Sequence, residues 1–120
     1  MQDHRKLIVW QRAQEKCVEL YRFSADFPPE ERYGMTAQLR KAAVSVGSNI
    51  AEGSKRRSPV DKARIFNISE SEGAETMSVL DLAIRLGFGR KAEAERLILS
   101  YEEVLKMLAS LCEQVLAGAK

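Results

Sequence analysis

Residues 32–54, RYGMTAQLRKAAVSVGSNIAEGS, decide the fold. Leu39, Ala42, Ala43, Val46 and Ile50 recur at helical spacing and define one apolar face. Thr36 is placed to cap the start of this helix, and Gly53, just past Glu52, to supply the left-handed residue that ends it. Gln38, Ser45, Asn49 and Glu52 form a polar line beside the apolar face. Polar groups that close to a core edge need hydrogen-bond partners, since burying one unpaired costs roughly 1–3 kcal/mol. The line therefore reads as structural, with Asn49 and Glu52 bonded to a neighbouring helix end or to the Arg32–Thr36 backbone. Gly47 lies inside the helix, at a cost of about 1 kcal/mol relative to Ala. It reads first as a point of close approach for another backbone and second as room for a ligand.

Upstream, a first helix is expected from Asp3 to about Ser24, with Val9, Trp10, Ala13, Cys17, Leu20 and Tyr21 along one face. Pro28 and Pro29 forbid its continuation, and Phe27 and Tyr33 are expected to pin the connection onto the bundle end. Downstream, Ser58-Pro59-Val60-Asp61 is a helix start, with a capping serine, a proline at the first helical position and an acid three residues on. That third helix should run to about Leu86 and stop at Gly87-Phe88-Gly89. The fourth extends from about Lys91 to near Ala117, with Ala94, Leu97, Ile98, Tyr101, Val104, Leu105, Leu108, Cys112 and Val115 on one broad face.

The third helix has two apolar faces. Phe66, Ser69, Gly73, Met77, Leu80 and Ile84 make the first; Ile65, Ile68, Val79, Leu82, Ala83 and Leu86 lie on the other side, interrupted by Glu72 and Glu75. A helix apolar on two sides is either centrally buried or meets a partner. A lone four-helix bundle has no central helix, so the second face predicts a homo-oligomer contact. Glu72 and Glu75 within it call for cations, which Arg40, Arg64 or Arg85 of a neighbouring copy could supply.

At 120 residues the chain reads as one domain, residues 1–120, and its abundant Ala, Leu, Glu, Lys and Arg favour helix over strand. The expected fold is all-α, an antiparallel up-down-up-down four-helix bundle. No apolar run approaches the ~20 residues that span a bilayer, and MQDHRKLIVWQRAQEK lacks the features of a secretory signal. A cytoplasmic protein without a membrane partner is expected. Cys17 and Cys112 read as buried, reduced core residues. His4 is the single histidine, and the sequence contains no CxxC pair, HExxH, phosphate-binding glycine loop or Ser/His/Asp set. Glu70, Glu72, Glu75 and Asp81 cluster on the third helix without the histidines of a bundle metal site. Neither a cofactor nor a catalytic activity is expected.

Val9-Trp10-Gln11, Phe27-Pro28, Glu31-Arg32-Tyr33-Gly34, Gln38-Leu39-Arg40, Asn49 to Ser54 and Leu86-Gly87-Phe88 carry a family likeness. Together they resemble the signature of the four-helix-bundle family of 23S rRNA intervening sequence proteins. Two positions depart from it: Gly47 stands where the family carries proline, and Met77 replaces the second glutamate of an ELET-like segment, leaving Glu75. The resemblance implies a ring-like homopentamer. It implies no established activity, because the family name records a genomic location. It also implies a likeness to the pentameric accessory proteins of diversity-generating retroelements, which bind reverse transcriptase and nucleic acid.

Between residues 53 and 64, Lys55, Arg56, Arg57, Lys62 and Arg64 face Asp61 alone, and Arg40 and Lys41 precede them. Repeated around an oligomer, such a patch could bind phosphates by counterion release. The overall net charge is only +2, so any RNA or DNA binding through Arg40, Lys55, Arg56, Arg57, Lys62 and Arg64 is expected to be weak and salt-sensitive. Two function classes stay open: a non-enzymatic oligomer associated with nucleic acid, and a structural adaptor or scaffold ring that binds a protein partner.

Overall fold

Ser58 accepts the Asp61 N–H on its hydroxyl at 3.2 Å, with Pro59 as the first helical residue, and the helix so capped runs to Leu86. In the computed structural model, which describes residues 3–118, this is the third of four α-helices: α1 Ile8–Ser24, α2 Met35–Ser54, α3 Pro59–Leu86 and α4 Lys91–Gly118. Short 3-10 turns at His4–Lys6 and Pro29–Glu31 precede α1 and α2, and the described residues contain no strand. Asp3 caps the first of these turns, accepting the Arg5 N–H at 3.1 Å, so α1 proper begins only at Ile8.

The end of α3 follows from its glycine. Gly87 is left-handed, at φ 76°, its N–H donates to the Ile84 carbonyl at 3.1 Å, and the Phe88 N–H donates to the Ala83 carbonyl at 2.9 Å. Two of the open carbonyls of the last turn, those of Ala83 and Ile84, are thereby satisfied.

Both ends of α2 differ from the sequence reading. Thr36 does not cap it. The helix starts at Met35, whose N–H is taken by the Glu31 carboxylate at 3.1 Å, and Thr36 already lies inside the first turn. Gly53 does not end it either. It is helical and buried, and a Cβ there would sit 2.7 Å from the Phe66 ring, so the missing side chain serves the approach of α3. Gly47 differs: no backbone of another helix approaches it, and a Cβ there would first meet the movable end of the Gln14 side chain on α1, at 2.5 Å from Oε1.

Leu20, Leu39, Ile50, Phe66, Leu80, Tyr101, Val104 and Leu108 form the fully buried centre of the core. Adjacent helices run antiparallel around it. Arg40, early in α2, reaches Ser24 at the end of α1; Gly53, late in α2, meets Phe66, early in α3. Cys112, late in α4, lies 3.7 Å from the carbonyl of Ala63, early in α3. Arg12, early in α1, pairs with Glu103 of α4 at 3.7 Å. Each helix touches the two beside it, closing a bundle of 49 × 23 × 20 Å.

Phe27 is buried at the bundle end, edge-on to Phe23 at 5.3 Å and tilted against Phe88 at 5.7 Å, and pins the α1–α2 connection. Tyr33 does not share that role. It is 88% exposed, on the outer side of the turn into α2. Cys17 and Cys112 are free and half-buried rather than fully buried. Burial, with the Glu70 carboxylate beside it, pushes the Cys112 thiol up to about 11.

Candidate interaction surfaces

The second face of α3 divides in two. Ile65, which packs beside Gly53 of α2, and Val79 are each only 5% exposed, and Ala83 is fully buried. They belong to the chain's own core, which corrects their assignment to an exposed strip. Ile68, Leu82 and Leu86 remain, at 38%, 47% and 52% exposure, on one outward line of the helix. Glu72 and Glu75 interrupt this line between Ile68 and Leu82, and form no ion pair among the described residues. The arginines proposed to answer them are engaged within their own chain: Arg64 holds Asp61 at 2.8 Å, Arg85 holds Asp81 at 2.8 Å, and Arg40 closes the end of α1.

The basic set disperses as well. The Arg40 guanidinium donates to the Ser24 hydroxyl at 2.9 Å and to the Tyr21 carbonyl at 3.0 Å, and stands 4.4 Å from the Tyr21 ring centre. It satisfies a helix C-terminus and lies about 22 Å along α2 from Lys55, at 1.5 Å per residue. Arg40 is therefore not part of a basic patch at the α2–α3 connection. The Lys62 amine donates to the Ser54 carbonyl at 3.2 Å, closing α2. Arg56 shares Glu52 at 3.6 Å and Asp61 at 3.7 Å, and Arg64 donates twice to Asp61. Lys55 and Arg57 stand exposed at the connection, without an ion pair among the described residues.

The polar line of α2 does not make the bonds expected of it. Asn49 Nδ2 donates to the Ser45 carbonyl of its own helix at 2.8 Å, and Glu52 is exposed and paired with Arg56. The seam with α3 is filled by Ala42, Val46 and Gly53, so the line sits on its rim, within reach of water. Gln38 and Ser45 face Glu72 and Glu75 across a groove of about 570 Å³, with Tyr33 at its mouth. The closure of α1 by Arg40 escaped the sequence reading, since its partners lie on another element and no local spacing marks them. Among the described residues no cluster of three or more His, Cys, Asp or Glu is arranged to hold a metal ion.

The profile of the 23S rRNA-intervening sequence protein family matches residues 5–110, from the first 3-10 turn through most of α4. The chain belongs to that family. This 23S rRNA-intervening sequence protein is also similar to a protein of unknown function from the S23 ribosomal protein family of Bacteroides thetaiotaomicron, known from its crystal structure. The two are 26% identical, the match covers 88% of this chain and 98% of the other, and the TM-score is 0.78. No curated relative matches the chain.

Proposed function

We propose that this protein acts by assembly, as a non-enzymatic bundle that self-associates through the outward line of α3 and serves as a scaffold. Leu82 and Leu86 support the reading, two large apolar side chains one turn apart on an exposed line of α3, with Ile68 on the same line about 21 Å away beyond Glu72 and Glu75. Burying each is worth about 1.5–3 kcal/mol before association entropy is subtracted. Glu72 and Glu75 beside them supply charges that a facing copy can answer. Set against a different face of the next copy, the line makes a heterologous contact that can close into a ring, and five is the number the family likeness implies. Free Cys17 and Cys112 fit a reducing cytoplasm, and no helix of the described residues is long and apolar enough to cross a membrane.

Light scattering tests this directly. The expected mass is a multiple of 13.5 kDa, and Leu82→Glu, at a position nearly half exposed, should release folded monomer. A single-chain mass at micromolar concentration, or an assembly that survives Leu82→Glu combined with Leu86→Glu, overturns the proposal. A second reading, contact with RNA or DNA at the α2–α3 connection, rests on the exposed and unpaired Lys55 and Arg57.

A further inference from the structure

Helix α4 has 28 residues and α1, beside it, has 17. Phe23, near the end of α1, packs on Gly89, just before α4 begins, so the two are flush at that end of the bundle. At the other end α4 outruns α1 by about 16 Å, at 1.5 Å per residue. Met107 and Leu111 there keep apolar surface that a longer α1 would have covered. The chain instead enters α1 through the His4–Lys6 turn and Leu7, and a trough of about 610 Å³ remains between that segment and α4. Leu7, Ile8, Met107 and Leu111 give it an apolar lining, with Ile8 62% exposed. Each wall contributes one lysine, Lys6 and Lys106, neither ion-paired among the described residues, and no carboxylate lines the trough.

We propose that this trough receives an acidic amphipathic helix from a protein partner. The shape fits a helix, because the walls are the ends of two antiparallel elements and the missing turns of α1 are what would have filled the space. The lining takes apolar side chains at i, i+3, i+4 and i+7, and Met107 adapts to their shapes. Lys6 and Lys106 select carboxylates along the edges of the incoming helix. A nucleic-acid strand fits poorly, since Leu7, Ile8 and Met107 separate the two cations that would have to follow its backbone. The proposal rests on the scaffold reading and names the chemistry of the partner. It uses the α1–α4 side of the bundle, opposite the α2–α3 side that bears the self-association line.

The probe is a fluorescein-labelled designed helix with Leu at i, i+3, i+4 and i+7 and Glu at the other positions, compared with a copy carrying Lys in place of Glu. Fluorescence anisotropy should show the acidic helix binding at least about tenfold more tightly. Lys6→Glu with Lys106→Glu should reverse that order, and Ile8→Glu should weaken the acidic helix by about tenfold or more. These side chains are exposed, and circular dichroism confirms that each variant is folded. Leu82→Glu should leave peptide binding unchanged, whatever it does to the assembled mass. Equal binding of the two helices, no binding of the acidic one, or indifference to Ile8→Glu overturns the proposal. So does dissociation of the assembly by Ile8→Glu, which would put a second copy in the trough and would still mean that the wild-type protein self-associates.

Discussion

Arg40 illustrates how a charged residue can belong to the fold. Its guanidinium joins the Tyr21 carbonyl, the Ser24 hydroxyl and the face of the Tyr21 ring, tying the start of α2 to the end of α1 across the connection between them. Arg40→Ala should cost about 1–3 kcal/mol, the usual toll for removing one partner of such bonds, measured by urea unfolding. Asn49→Ala should cost less than about 0.5 kcal/mol, since its amide bonds only to the preceding turn and Ala is the better helix former. The reverse ranking would return the polar line to a structural role. Sequence reading took Arg40 for a nucleic-acid contact or for a cation answering Glu72 and Glu75, and missed the end of α1 that it closes. What a side chain of that length reaches depends on which helix end comes to rest beside it.

At the scale of elements, the local signals were the legible ones. The Ser58-Pro59 start and the Gly87 stop are complete within a few consecutive residues, and both behave as the sequence indicates. Gly53 was misread because glycine serves two purposes, the left-handed turn and the close approach, and the deciding partner, Phe66, sits on the next helix. Gly53→Ala separates the two. Helix propensity alone would reward the change by about 1 kcal/mol, whereas a methyl 2.7 Å from the Phe66 ring should cost about 1–3 kcal/mol of strain. We expect a net loss, seen as a lower melting temperature; a rise would mean that α3 yields easily at this contact. The same dependence on neighbours explains the α3 line. Periodicity placed Ile65 and Val79 with Ile68 and Leu82, but only the packed bundle shows which of them are covered.

For the whole molecule, charge balance limits what the basic residues can do. Nineteen Lys and Arg meet seventeen Asp and Glu, and the structure pairs Arg56 and Arg64 with Asp61 and turns Arg40 and Lys62 toward helix ends. Two exposed cations per chain remain at the α2–α3 connection. If single-stranded RNA binds there, the logarithm of affinity should fall with the logarithm of salt at a slope of about −1.4 per chain, two contacts at about −0.7 each. Lys55→Glu with Arg57→Glu should abolish binding, and Arg40→Ala, once its stability is accounted for, should not change it. Titrations of labelled RNA at several salt concentrations read both. A slope about twice as steep, about −2.8 per chain, would mean that Arg56 and Arg64 leave Asp61 to join the contact.

The four alternating helices also settle a matter of direction. Running back and forth, they bring residues 3 and 118 to the end that holds Lys55 and Arg57, while Phe23, Phe27 and Phe88 plug the opposite end. Bundles standing side by side in a ring would share that orientation, and rotation about the ring axis never exchanges the two rims. Such a ring would have a front that carries residues 3 and 118 with Lys55 and Arg57, and a back sealed with aromatic rings. A molecule that meets the front of such a ring would find cations, and one that meets the back would find aromatic rings.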